Sequence, residues 1–158
     1  MEFMSNSLEV DLREEMPVLA RHEGKWKGEY VDVGADGEPL DRFEAHLSCQ
    51  FPDEGTYDYH QVNRYTWPDG TEEVHEFPAV YEDGEIWFDT ERIKGHAWEA
   101  DHRTVMLTWR RKDLPGIYFY EMIQINEENN RRSRTWHWFE EDELVKRTLI
   151  EEHRIEET

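Results

Sequence analysis

Between Tyr57 and Trp67 the chain alternates rings with amides. Tyr57, Tyr59, Gln61, Asn63, Tyr65 and Trp67 fall on one side of an extended segment, and His60, Val62, Arg64 and Thr66 on the other. Polar groups set singly among rings are the usual lining of a small-molecule pocket, so the aromatic side is expected to face inward. In the next stretch His75, Phe77, Ala79 and Tyr81 share a side; further on, Leu107 pairs with Trp109, Tyr118 and Tyr120 with Met122, and His137 with Phe139, opposite Trp136 and Trp138. A neutral imidazole and a phenol held in a dry pocket can pass a proton without metal or cofactor. His137, His75 and Tyr65 are therefore the candidate catalytic groups. Gln61, Asn63, Tyr59, Trp109, Tyr118 and Tyr120 are the candidate ligand contacts. The chemistry would be isomerisation, ring closure, hydration or lyase-type elimination on an aromatic or isoprenoid-like substrate. The alternative is a non-catalytic carrier or sensor of such a molecule, for which the cavity should be almost wholly apolar.

Other constellations fail. The chain has no His-Glu-x-x-His, no glycine-rich phosphate loop and no Gly-x-Ser-x-Gly elbow, which argues against a dinucleotide cofactor. Asp32, Asp36 and Gly37 echo a calcium loop, but Phe43 stands where a bidentate carboxylate is needed. Cys49 is the only cysteine, so neither an internal disulfide nor a cysteine-built zinc site can form, and its alternating apolar surroundings read as a buried small hydrophobe. Arg131, Arg132 and Arg134 form one basic cluster flanked by Asn and acids, which reads as a solvated turn. No metal or cofactor is expected.

Composition narrows the partners. The 158 residues carry 38 acidic against 18 basic side chains, a net charge of −20, which repels phosphate backbones and anionic lipid. Nucleic acid and membrane surfaces are thus not expected partners; a small hydrophobic or aromatic molecule is, and self-association as a homodimer is allowed. Rings make up 13% of the chain, far too many for a disordered acidic segment, so they must be buried somewhere. No run approaches the roughly 18 apolar residues of a membrane helix, and a cytoplasmic address is the default. Residues 1–4 read as a cloning remnant.

Stepping along the chain, Leu8, Leu12, Met16 and Leu19 give residues 5–21 a helical spacing that Pro17 interrupts, a short cap. From Trp26 the period becomes two, and turn signals recur: Gly34 to Gly37, Pro52 to Gly55, Pro68 to Gly70, Glu82 to Gly84, Pro115-Gly116 and Asn126 to Asn130. About ten strands without helical crossovers predict an all-β fold, a single antiparallel up-and-down β-barrel over residues 22–158. Closure removes the exposed edges of an open sheet, and such a barrel can hold one small ligand.

Gly24-Lys25-Trp26, after the short helix and before the first strand, resembles the Gly-x-Trp signature of the calycin superfamily, the lipocalins and their relatives. The stretch from His22 to Tyr30, and Asn63-Arg64-Tyr65-Thr66-Trp67-Pro68-Asp69-Gly70, are similar to an uncharacterised bacterial lipocalin-like family known only as a domain of unknown function. The resemblance implies a ten-stranded barrel with a central pocket, closed at one end by Trp26 packed on an arginine of the last strand. Arg147 and Arg154 both lie there, and Arg147 is taken as the partner. It implies no reaction. Nitrobindin, in the same superfamily, holds haem through a histidine near its C-terminus, a part that His137 or His153 would have to play.

Overall fold

Residues 10–155 are described in a computed structural model; the first four residues and Leu8 lie outside the described part. Ten antiparallel strands close into one barrel: β1 (Gly24–Gly34), β2 (Pro39–Gln50), β3 (Tyr59–Thr66), β4 (Glu72–Glu82), β5 (Glu85–Asp89), β6 (Ile93–Asp101), β7 (Thr104–Arg111), β8 (Ile117–Ile125), β9 (Arg131–Glu140) and β10 (Glu143–Ile155). Each strand pairs with the next in sequence, and β10 returns to pair with β1. This is the all-β up-and-down barrel that the alternation predicts, with the ten strands that the calycin resemblance implies. The tight connections are built from the expected turn residues: Asp83 and Gly84 both take positive φ, 52° and 85°, the backbone that a two-residue hairpin between β4 and β5 demands.

The helical cap is two four-residue turns rather than one helix, α1 (Leu12–Glu15) and α2 (Pro17–Ala20). Pro17 splits them and occupies the first turn of α2, where its missing N–H costs nothing. Glu99 reaches over from β6, and one carboxylate oxygen accepts from the N–H groups of Val18 (2.7 Å) and Leu19 (2.8 Å). Leu12, Met16, Val18 and Leu19 are buried. They stopper the end of the barrel at which β1 begins and β10 ends.

Trp26 is fully buried at this end. Its Nε1 donates to the carbonyl of His22 at 2.9 Å, and the guanidiniums of Arg132 and Arg154 lie 4.5 and 4.4 Å from its ring centroid. Arg154 stands directly across from Trp26 in the β1–β10 ladder. The partner of Trp26 is thus Arg154, not Arg147. Arg147 pairs with Val33 at the far end of the same ladder, too distant to touch the closure. Arg154 also donates to the carbonyls of Arg21 (2.7 Å) and Asn129 (2.7 Å), so it stitches the cap to the β8–β9 turn. Accordingly, Trp26→Ala should cost about 3–5 kcal/mol in urea unfolding, whereas Arg147→Ala should stay within about 0.5 kcal/mol of the wild type.

Candidate functional site

The interior is filled at the capped end and hollow at the other. A cavity of about 230 Å³ opens between the β1–β2, β3–β4, β5–β6 and β7–β8 connections, at the end opposite the helices. Its walls are rings. Trp109 stacks on Phe119 with centroids 3.8 Å apart and planes 7° from parallel, and Trp136 stands edge-on to Trp109 at 5.5 Å. Phe43 and Trp67 lie 4.6 Å apart on the opposite side, with Tyr65 at 5.3 Å from Phe43. Gly95 permits the close approach of β6 to β7, because a Cβ there would sit 2.3 Å from the Thr108 carbonyl oxygen and 2.4 Å from the Trp109 Cβ.

Along the inner face of β3 runs a ladder of hydrogen bonds. The Tyr59 hydroxyl donates to Gln61 Oε1 (2.7 Å), Gln61 Nε2 to Asn63 Oδ1 (2.9 Å), and Asn63 Nδ2 to the Tyr65 hydroxyl (2.9 Å). With the ladder in this sense, the Tyr65 proton is left for an acceptor in the cavity. Burial pushes the Tyr65 phenol up to about 12, so at neutral pH it is a donor and not a base. His75, on the neighbouring strand, has Nε2 2.9 Å from Glu73 Oε1 and its ring 5.7 Å from that of Tyr65. One further donor is unmet: Trp136 is 9% exposed, and its Nε1 has no partner among the described residues. A buried N–H without an acceptor costs about 1–3 kcal/mol.

Of the residues singled out in the sequence, Gln61, Asn63, Tyr65, His75 and Trp109 line the cavity. Tyr59 faces the same interior but sits deeper, against Phe51 and Phe88, outside the cavity wall. Three others face the wrong way. Tyr118, Tyr120 and His137 lie on the outer wall: Tyr120 is 47% exposed, the Tyr118 hydroxyl donates to Asp142, and His137 Nδ1 is 3.4 Å from the Tyr120 carbonyl. Alternation fixes which residues share a side but not which side is inner. On β8 and β9 the inner side carries charges, Glu121, Arg132 and Arg134, and so reads as the solvent side. Trp136, Trp138 and Phe119, missed for that reason, form the wall instead; two tryptophans sharing one side of β9 were the available signal. His153 pairs with Lys27 and Arg131 on the outer face as well, so neither proposed haem ligand points into the interior.

The same reversal corrects the basic cluster. Arg132 and Arg134 are buried, not solvated. Arg132 Nε pairs with Glu152 Oε1 at 2.5 Å, while Arg134 bridges Glu121 (2.9 Å) and the other oxygen of Glu152 (3.1 Å) and donates to the Tyr30 hydroxyl (3.0 Å). Two guanidiniums and two carboxylates cancel, which makes the burial tolerable. Gly28 makes room for it, since a Cβ there would lie 2.4 Å from the Glu152 Cγ. Glu121 and Arg134 form the polar floor of the cavity; Cys49, buried as its surroundings suggest, lies on the capped side, 3.9 Å from Arg132 Nη1. Burial alone would push the Glu152 carboxyl up, but Arg132 and Arg134 outweigh it and hold the group below its ordinary range. His22, at the edge of the cluster, faces Arg132 at 2.9 Å through Nδ1. A guanidinium only donates, so Nδ1 must accept and the proton sits on Nε2, which has no partner among the described residues.

Residues 13–157 match the family described as Domain of unknown function (DUF3598), N-terminal. The chain belongs to this family. A crystal structure of a DUF3598 protein of unknown function from Nostoc punctiforme PCC 73102 superposes with a TM-score of 0.67 and 18% identity over 87% of this chain; the chain spans about half (49%) of that protein's length. The S-type phycobiliprotein lyase from Guillardia theta matches end to end, 100% of each chain, with a TM-score of 0.70 and 11% identity. EF1p2_mFAP2b bound to DFHBI matches 87% of this chain and 97% of its own, with a TM-score of 0.50 and 13% identity. No curated protein sequence matches the chain. Among the described residues, no helix is long and apolar enough to cross a membrane.

The buried cluster has a pH signature. Burial, followed by the charges of Arg132, Arg134, Arg154 and Arg21, lowers His22 well below its ordinary 6.5. The unfolded chain therefore takes up a proton that the folded chain refuses, and stability falls as pH drops below 6.5. Glu152, also lowered, adds a second loss as pH falls below its ordinary 4.5. Chemical unfolding of His22→Gln, which keeps an acceptor for Arg132 but cannot titrate, should show less stability loss than the wild type on going from pH 7 to about 5.

Proposed function

We propose that this domain binds a planar, conjugated, largely apolar small molecule inside the barrel, with a hydrogen-bond acceptor on the guest meeting Tyr65 and Trp136. The observation that carries the reading is the cavity wall: tryptophan and phenylalanine rings already stacked on one another, and a buried indole N–H beside them without a partner among the described residues. Rings held in place by their neighbours offer flat contact area at little entropic cost. Fold likeness supports the reading at a coarser level, since EF1p2_mFAP2b holds DFHBI and the Guillardia theta protein is a phycobiliprotein lyase.

Binding without chemistry is favoured over turnover by the state of Tyr65. A phenol near 12 offers a hydrogen bond but gives up its proton reluctantly at neutral pH. One observation supports a second reading, that the barrel acts on its guest as an acid–base isomerase, cyclase, lyase or hydratase: the His75–Glu73 pair beside Tyr65 supplies an imidazole at the cavity wall. His137 drops out of that scheme, and proton transfer would fall to His75 with Tyr65 as donor. No cofactor is invoked in either reading, and a cytoplasmic setting and a homodimer remain proposals of the sequence.

Native mass spectrometry of freshly purified protein, with an absorbance scan, tests both. An organic guest should be carried through purification or be replaced by the neutral dye N-phenyl-1-naphthylamine, and Trp136→Phe should weaken dye-competing guests that accept hydrogen bonds by about fivefold. A barrel that neither carries a guest nor brightens the dye sinks the binding reading. If the guest is converted by the wild type and not by His75→Gln at equal affinity, the acid–base reading replaces the carrier one.

A further inference from the structure

The charged side chains at the cavity mouth are almost all engaged. Arg111 holds Asp113 with two hydrogen bonds of 2.7 and 2.8 Å. Asp32 accepts from Thr148 at 2.7 Å and lies 3.5 Å from Lys146. Glu73 faces His75 at 2.9 Å, His96 faces Glu85, and Asp41 accepts from Trp67 Nε1 at 3.1 Å. Arg92 is the exception. It lines the cavity, half-buried, and its guanidinium has no hydrogen bond or ion pair among the described residues. Its charge is felt by Asp113, but that carboxylate is already held through both oxygens by Arg111.

The backbone around this arginine is fixed. Its N–H donates to Thr90 Oγ1 at 3.1 Å, the same oxygen accepts from Ile93 N–H at 3.0 Å, and its carbonyl accepts from Lys112 N–H at 2.7 Å. The mouth is also polarised. Asp41 and Glu73 stand at the starts of β2 and β4, whereas Arg92 and Arg111 stand just before β6 and at the end of β7, two to five strands further round the barrel. An anionic group entering here is repelled by one lip and received by the other, and of the two arginines only Arg92 has its fork free.

We propose that Arg92 is an anion-binding residue at the mouth, and that the guest of the barrel is a conjugated molecule carrying a carboxylate on the end that points out. This rests on the binding reading above and narrows its ligand class. The aromatic body is buried among Trp109, Phe119 and Trp136, and the carboxylate stays in the half-wet mouth, where its desolvation is partial.

The test pairs pyrenebutyrate with its uncharged methyl ester in fluorescence titrations of the full chain. Because the net charge of −20 disfavours any anion, the readout is the change in the acid-to-ester affinity ratio on substitution. Arg92→Gln should lower that ratio about tenfold through loss of acid binding, with ester affinity held within about twofold, and added salt should shrink the difference. Arg110→Gln, at an exposed arginine on the outer side of β7 at the same end of the barrel, should leave the ratio within about twofold of the wild type. If both probes bind and Arg92→Gln leaves the ratio unchanged, the anion site is wrong while the cavity reading stands. If Arg110→Gln lowers it as much as Arg92→Gln, the effect is diffuse charge and the assignment to Arg92 falls. If neither probe binds the wild type, the cavity reading falls and takes this one with it.

Discussion

Two arginines lean on one indole at the bottom of the barrel, and the resulting concentration of positive charge has to be answered from within. Arg132 and Arg154 both lie over Trp26, and Arg134 follows one inward position along β9. Glu152 and Glu121 neutralise the two fully buried guanidiniums, and backbone carbonyls of the cap and of the β8–β9 turn take the third. This arrangement draws β1, β8, β9 and β10 together from the inside. It also sets where the solid part of the interior ends. Buried charge of this kind is no bargain for stability compared with a well-packed apolar filling. Its effect here is geometric, since each carboxylate fits only one place between the guanidiniums.

The hollow half follows from the filled half. Above the Arg134–Glu121 floor the inward positions change from charged to aromatic, and the rings stack on neighbours from adjacent strands rather than meeting across the barrel. Glycines stand where strands must approach, Gly28 beneath Glu152 and Gly95 beside Trp109. The result is a cavity whose walls are already ordered, so a guest would find most of its contact surface in place.

Much of this architecture was legible in the sequence. The ten alternating stretches correspond to ten strands, the Glu82-Asp83-Gly84 hairpin is where its residue types put it, and on β3 and β4 the ring-bearing side is the inner one. There the hint was sound because the outer side, with His60, Arg64 and Glu76, is plainly more polar. On β8 and β9 the same logic inverted the strand pair. The inner side breaks its run of rings and isoleucines with Glu121, Arg132 and Arg134, while the outer side holds Tyr118, Tyr120 and Phe139, so charge masked the apolar side. Ion pairs between strands thirteen and eighteen residues apart leave no periodic trace. The choice of Arg147 over Arg154 failed for a related reason: both share the last strand, and only the register against β1 tells them apart.

Among the described residues, the stopper of Leu12, Met16, Leu19 and Trp26 leaves the hollow with a single door. In a blind channel an incoming molecule cannot push a resident out from behind, because both must use the same passage and only one fits within it. Exchange is then strictly sequential: the escape rate of the first occupant is indifferent to how much of a rival is waiting. Any guest of such a channel would stay for a time set by the mouth and walls, rather than by the crowd outside.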